Sequence, residues 1–266
     1  MKQNSVSIVT GGASGIGLAC VHTLLARGDR VIVLDLPNTW QDNALSGVAY
    51  YDCDVTDEAG LRTLADRIER EHGPISALVN SAGIIQPKLP PEQLDMQFWD
   101  KVVAVDQRGT YLCCTIFGAR MAAQGYGAIV NIASIAGSRS MPLHAYAPAK
   151  AAVISITQCL AVEWGRSGVR VNSVSPGYTV TPALQAAIDR GDRDVDELAN
   201  PTALGRLIEP REIAEAVAFL TSTQASAITG IDLPVDAGWL VGTSWHTYGG
   251  VPGARQPAPD SGDRSC

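Results

Sequence analysis

The chain predicts an α/β fold, one doubly wound sheet of about seven parallel strands with helices on both faces. Short β-branched runs alternate from end to end with longer apolar stretches of helical spacing, the pattern of strands joined by crossover helices. A glycine-rich turn joins the first strand to the first helix, and polar or glycine residues follow several strands, where open parallel sheets bind ligands. With 266 residues and 46% hydrophobic side chains, the chain can bury one large core, and nothing in it demands a second domain.

Residues 5–9 read as a short buried strand, followed by Thr10-Gly11-Gly12-Ala13-Ser14-Gly15-Ile16-Gly17. An apolar helix over 16–27 then stops at Gly28, a common helix terminator. Glycines let the turn tighten and approach a pyrophosphate, and the helix N-terminus offers free N–H groups and partial positive charge. A second strand over 30–34 ends in Asp35, eighteen residues beyond Gly17, where a carboxylate can accept hydrogen bonds from adenosine ribose hydroxyls. A third strand near 48–51 leads to Asp52-Cys53-Asp54-Val55 and a helix over 58–72, which Asp54 is placed to cap. A fourth strand, 76–79, delivers Asn80-Ser81-Ala82-Gly83 to its C-terminal end. One long helix is expected over 94–123, and a fifth strand over 128–132 delivers Ser134. The helix that opens at Tyr146 continues to 164, and Pro148 is tolerable because first-turn N–H groups lack helical partners. A sixth strand over 169–175 turns at Pro176-Gly177; a helix over 210–221 and a seventh strand over 231–235 complete the series. Residues 183–205 are mixed and charged, which suits either a mobile substrate lid or a solvated loop. The domain is expected over 1–248, with a Gly/Pro-rich tail over 249–266 that cannot supply a core element.

Tyr146 and Lys150 stand four residues apart, and Ser134 lies twelve residues before the tyrosine. Positions i and i+4 share one helix face, so the ammonium can lie beside the phenol. A phenol's ordinary pKa is about 10, and a cation a few ångströms away favours the phenolate. That makes a tyrosine usable as an acid or base near neutral pH, while a serine hydroxyl in reach holds the substrate oxygen. Alone, the pair also fits an ordinary tyrosine and lysine on a helix surface. The glycine turn is the independent signal that favours chemistry.

In order and spacing these motifs resemble the short-chain dehydrogenase/reductase family, in its single-domain branch with a Rossmann-type fold. The matching residues are Thr10 to Gly17 (TGxxxGxG), Asp54-Val55, and Asn80-Ser81-Ala82-Gly83 where the family usually has NNAG. They continue with Ser134, Tyr146-x-x-x-Lys150, Pro176-Gly177-Tyr178-Thr179-Val180-Thr181, and Gly230-Ile231-Asp232…Val235-Asp236-Ala237-Gly238. The resemblance spans residues 5–241. It implies a nicotinamide dinucleotide on Gly11, Ser14, Gly15, Ile16 and Gly17, with Asp35 at the ribose and Asp54 and Val55 at the adenine. Asn80, Ala82 and Gly83 would line the crevice, Pro176, Gly177 and Thr179 would also bind the cofactor, and Thr181 would lie near the carboxamide. Tyr146 would exchange the alcohol proton, Ser134 would orient the oxygen, and Lys150 would serve both the tyrosine and the nicotinamide ribose. One departure stands out. Where the family has asparagine in a V-N-x-x-G context, this chain has Val105-Asp106-Gln107-Arg108-Gly109, so Asp106 joins the catalytic candidates.

The expected cofactor is NAD. A 2′-phosphate near Asp35 would suffer repulsion, roughly 4 kcal/mol for one unit pair at 4 Å and an effective dielectric of 20. The family's NADP users usually place a basic residue in the glycine turn or just after the second strand; here those places hold Ala13, Ser14 and Leu36. Substrate candidates by position are Gln86, Ile135, Arg139, Met141, His144 and Tyr178, with Ser134 at the reacting oxygen. Arg139 and His144 lean toward a hydroxylated or anionic substrate, although each also fits a plain loop role. Sugar and polyol dehydrogenases are the nearest types within the resemblance. A reductase of 3-oxoacyl thioesters is an alternative that Asp35 disfavours, and a non-catalytic nucleotide sensor or scaffold is another.

The formal charge of −7 and the absence of a Lys/Arg cluster argue against nucleic acid. No apolar run reaches the ~18 residues of a membrane span, and no charged-then-apolar leader opens the chain, so a soluble cytoplasmic protein is expected. The six cysteines show no metal-type spacing and read as free thiols. Trp239, Trp245, His246 and Tyr248 make the C-terminal region unusually aromatic; by resemblance it reaches a neighbouring subunit in a homotetramer.

Overall fold

The computed structural model describes residues 5–41 and 44–254. Its seven strands are β1 (Val6–Thr10), β2 (Arg30–Asp35), β3 (Val48–Asp52), β4 (Ile75–Asn80), β5 (Gly127–Ile132), β6 (Val169–Pro176) and β7 (Asp232–Val235). They form one parallel sheet in the order β3-β2-β1-β4-β5-β6-β7. The chain builds outward from β1 to β3, then returns to the other side of β1 at β4. That reversal opens a crevice beyond the strand ends, where Thr10 of β1 stands opposite Asn80 of β4.

Alternation along each strand divides the core in two. Ile8, Ile32, Leu34, Leu78 and Ile129 face the helices α2 (Glu58–His72), α4 (Thr110–Gln124) and α5 (Tyr146–Gly165). Val9, Val31, Val33, Val79 and Val130 face α1 (Gly15–Ala26) and α8 (Pro210–Thr221). Both faces are covered, which is why the strands read as continuous apolar runs. No helix among the described residues is long and apolar enough to cross a membrane. Cys20, Cys53, Cys113 and Cys114 are buried free thiols, and burial pushes Cys20, Cys53 and Cys114 up to about 12. Cys159 is exposed, and Cys266 lies outside the described residues.

Two stretches depart from the expectation. The long helix over 94–123 is broken into α3 (Met96–Val102), a π-helical stretch (Val103–Gly109) and α4. The widened turn carries buried Asp106, and it presents Gly109 to Val55, whose Cγ2 would lie 2.8 Å from a Cβ at that position. Residues 183–205 are not a plain loop. They contain most of α6 (Pro182–Asp189), where Thr181 Oγ1 accepts the Leu184 N–H (3.3 Å), and α7 (Val195–Ala199). At the latter, Asp194 accepts from Asp196 N (2.8 Å) and Glu197 N (3.1 Å). The aromatic region before the tail is also helical, as α9 (Trp239–Gly242) and a 3₁₀ segment (Thr243–Tyr248). The tail from 255 to 266 lies outside the described residues.

Candidate active site

The turn after β1 is fixed from two sides. Ala13 N donates to Asp35 Oδ2 (2.9 Å), and Leu36 N donates to Asp35 Oδ1 (2.8 Å), so the carboxylate ending β2 is bonded to the glycine turn itself. Thr10 Oγ1 accepts from Ser81 N (3.1 Å) and Ala82 N (3.2 Å), which clamps the turn after β4 against it. Gly11 has φ +65°, and a Cβ there would lie 2.7 Å from Ala82 Cα; one at Gly17 would overlap the Gly11 carbonyl. Within α1 the first hydrogen bond runs from Leu18 N to Ser14 O (3.0 Å), so the N–H groups of Gly15, Ile16 and Gly17 precede it at the positive end of the helix. Thr181 lies close above, its Cγ2 3.5 Å from where a Cβ of Gly15 would be. The residues present fit a dinucleotide: bare backbone and helix N–H groups for a pyrophosphate, with a carboxylate beside them for a ribose.

Other expected cofactor residues are placed with more variety. The Asn80 amide is turned into the sheet, donating to Asn131 Oδ1 (2.8 Å) and Cys114 Sγ (3.2 Å), while Asn131 donates to Thr157 Oγ1 (2.9 Å). Ala82 and Gly83, rather than the Asn80 side chain, are therefore left to line the crevice. Asp54 Oδ1 accepts from Thr56 N (2.9 Å) and Thr56 Oγ1 (2.8 Å) in a local turn; the cap of α2 is Asp57, which accepts from Gly60 N (3.1 Å). Val55 is buried against Gly109. Beyond Pro176, Gly177 N donates to Val235 O (3.0 Å), and buried Thr179 donates to Gly177 O (3.0 Å). Tyr178 meets Trp239 edge to face at 6.0 Å.

Lys150 is buried, and its Nζ lies 5.5 Å from the centre of the Tyr146 ring, on the shared face of α5 that the spacing predicts. The same ammonium donates to Ile132 O (3.0 Å), the last residue of β5 and two before Ser134. One lysine thus ties the tyrosine's helix to the strand that delivers the serine. Ser134 Oγ accepts from Ala136 N (3.1 Å), which leaves its hydroxyl hydrogen to donate. Asp106 is wholly buried; Oδ1 accepts from Ile84 N (2.8 Å), and Oδ2 faces Lys150 Nζ at 3.3 Å as an ion pair not aligned as a hydrogen bond. Burial lifts the Asp106 carboxyl above its ordinary range, outweighing the lysine and the Ile84 N–H. A Cβ on Gly83 would come within 3.2 Å of Oδ2 and 3.5 Å of Nζ, so that glycine leaves room for the pair.

Gln86 is buried, and its Oε1 accepts from Ala145 N (2.7 Å) and Tyr146 N (3.4 Å). Arg139 and His144 sit in the loop that precedes α5. Both line a shallow hollow of about 430 Å³ with Met141, Ala147 and Ala151, and neither Ser134 nor Tyr146 is on its walls. Ala147 and Ala151 follow Tyr146 and Lys150 by one residue each, about 100° around the helix. A larger hollow of about 630 Å³ lies between α1 and α8, lined by His22, Arg27, Arg211 and Glu215, away from the strand ends.

A comparison with known families matches residues 11–240 to the profile described as enoyl-(acyl carrier protein) reductase. The chain belongs to the short-chain dehydrogenase/reductase family. D-threitol dehydrogenase of Mycolicibacterium smegmatis is 40% identical over 90% of this chain and 94% of its own. Cis-4-hydroxycyclohexanecarboxylate dehydrogenase of Sinomonas cyclohexanicum is also 40% identical, over 88% of this chain and 96% of its own. Among solved structures, one from Brucella melitensis 16M described as ribose-5-phosphate isomerase is 49% identical, with a TM-score of 0.91 over 94% of this chain and 98% of that one. Within the short-chain dehydrogenase/reductase frame, the Asp106–Lys150 ion pair is the feature that sets this site apart from the usual asparagine.

Proposed function

We propose that this oxidoreductase passes a hydride between a secondary alcohol of a polyol, sugar or related hydroxylated compound and NAD, with Tyr146 as the acid and base. The observation that carries the reading is the buried Lys150 ammonium, which faces the Tyr146 ring and is bonded to the strand that ends at Ser134. In oxidation, Tyr146 takes the hydroxyl proton from the alcohol as the carbonyl forms, while the Ser134 hydroxyl steadies the oxygen. The bound nicotinamide supplies the hydride acceptor. Lys150 stabilises negative charge on the phenol oxygen, and in reduction Tyr146 returns the proton to the carbonyl oxygen.

NAD rather than NADP is supported by Asp35, whose carboxylate is held against the glycine turn by Ala13 N and faces no basic residue at 36–38. Polyols and cyclic alcohols are supported by the relatives that act on D-threitol and cis-4-hydroxycyclohexanecarboxylate. The isomerase description of the Brucella protein belongs to that protein; an aldose–ketose isomerisation by proton transfer needs no dinucleotide, and the glycine turn with Asp35 favours a dehydrogenase for the present chain. A cytoplasmic homotetramer is the proposed working form.

The test is NAD reduction with D-threitol, galactitol, aldoses and cis-4-hydroxycyclohexanecarboxylate, run on the parent and on Tyr146→Phe, with NADP in parallel. Turnover with NAD that falls by at least about a hundredfold in Tyr146→Phe is expected. Tight NAD binding without turnover of any alcohol would favour the sensor reading, and a preference for NADP would overturn the role of Asp35.

A further inference from the structure

The N-terminus of α5 is the place where Tyr146 must be held, and its first-turn N–H groups have no helical acceptors. Ala145, the residue at the cap, has no side chain that could help. Ala147 N finds Leu143 O (2.8 Å), and Pro148 has no N–H. The remaining two donors, Ala145 N and Tyr146 N, converge on a single atom, Gln86 Oε1, at 2.7 and 3.4 Å. Two N–H groups pointing at one amide atom identify it as the oxygen. The other amide atom, Nε2, is buried with no hydrogen-bond partner among the described residues. A leucine or methionine would fill this space without burying an unpaired donor, so packing alone does not explain a glutamine here.

The loop that carries Gln86 also links the two halves of the site. Its Ala82 presses on Gly11 of the glycine turn, its Ile84 N–H is bonded to Asp106, and Asp106 is paired with Lys150. We infer that Gln86 is a positioning residue for catalysis: through the amides of Ala145 and Tyr146 it couples the cofactor-side loop to the tyrosine that moves the proton. This rests on the dehydrogenase reading of Tyr146. The ionisable groups around that tyrosine are Lys150 on its own helix, Asp106 from the π-helical stretch and His144 in the preceding loop, while α3 meets it with Phe98, Trp99 and Val102.

Gln86→Met and Gln86→Glu, compared with the parent and with Tyr146→Phe, test the inference. Methionine removes the acceptor. The Ala145 and Tyr146 amides then exchange faster with deuterium, and kcat falls by about ten- to a hundredfold with the Kd for NAD unchanged. Glutamate keeps an acceptor, which two N–H donors and the helix end favour in its charged form, and adds a negative charge at the start of the tyrosine's helix. Amide protection is therefore retained, the acidic limb of kcat/KM for alcohol oxidation moves up by about one pH unit, and kcat recovers toward the parent above it. Parent-like kcat and parent-like exchange in folded Gln86→Met overturn the inference. So does an equal loss in both variants with no displacement of the limb, the pattern of a structural role alone. Should Gln86→Met not fold, the limb and amide protection in Gln86→Glu decide on their own. The exchange measurement needs no turnover, so an inactive parent or a fully active Tyr146→Phe would count against the dehydrogenase reading and not against the Gln86 contacts.

Discussion

Asp106 shows at the scale of one residue how a carboxyl and an ammonium share a buried place. Lys150 keeps three neighbours, the Ile132 carbonyl, the Tyr146 ring and Asp106, and only the last carries charge. Asp106→Asn preserves the shape and an acceptor for Ile84 N–H, so turnover is expected to stay within about tenfold of the parent. A gain of several orders of magnitude would mean that the native carboxyl cripples the site. Stability against pH is a second readout. Because burial raises the folded carboxyl above the ordinary value of 3.8, the folded chain binds that proton more tightly than the unfolded chain does. The contribution of Asp106 to stability is therefore greatest in acid and is lost as pH rises through the folded value. The asparagine variant has no such loss. Its stability relative to the parent should climb as pH rises above about 4 in urea titrations, and a fall over that rise would contradict the assignment. Tyr146, Lys150, Ser134 and Asp35 were legible in the sequence because spacing along one helix, or position after a strand, fixes where each side chain goes. Position alone brings Gln86 near the pocket, but its bond to the start of α5 and the bond of Asn131 were not legible, since the partners lie 59 and 51 residues away and no periodicity connects them.

Elements were legible where the apolar period was unbroken. All seven strands lie within a residue or two of the expected positions; the five inner ones are buried on both faces and read as continuous runs, while the edge strands β3 and β7 are only half-buried. The π-helical stretch was hidden because a widened turn keeps the helical pattern and shifts only the hydrogen bonds. The helices α6 and α7 were masked by the charged run from Asp189 to Asp194 between them, although Thr181-Pro182 and Asp194 followed by Asp196-Glu197 are start signals that outweigh it. The segment bearing these two helices is fastened to α8 by a bidentate pair, Arg206 Nη1 and Nη2 to the two carboxylate oxygens of Glu212, at 2.7 Å each. That bond, with the Glu209 N–H, lowers Glu212 from 4.5 to about 2. A lowered folded carboxylate stabilises above the ordinary value and loses its contribution as pH falls from 4.5 toward about 2. With the two side chains 49% and 36% exposed, solvent screens most of the effect. Arg206→Ala should lower Tm by no more than about 3 °C at neutral pH, and the gap should close in acid. Thermal melts at a series of pH values check this; a gap that widens on acidification would be inconsistent with the pair.

At the scale of the molecule, the outer faces of α4 and α5 are unlike a solvated surface. The exposed positions of α4 are Tyr111, Ala119 and Ala123, and those of α5 are Pro148, Ala151, Ser155, Gln158, Cys159, Val162, Glu163 and Gly165. Among them only Glu163 is charged, in a chain whose formal charge is −7, and Val162 is 84% exposed. Small and apolar residues over two adjacent helices allow a second copy to approach closely and bury that surface. The exposed aromatics Trp245 and Tyr248 near the far end of the chain offer a second contact, which a tetramer of two-fold symmetric pairs would use. Light scattering on the purified protein should therefore give the mass of four chains, and Val162→Arg should yield a smaller species, because a buried cation without a partner opposes closure of the interface. Val162 faces solvent within one chain, so circular dichroism should stay that of the parent. A parent that scatters as a single chain at assay concentration would leave these faces without a partner copy, and the aromatic end of the chain would then have to be explained within one subunit, beginning with the contact of Trp239 on Tyr178.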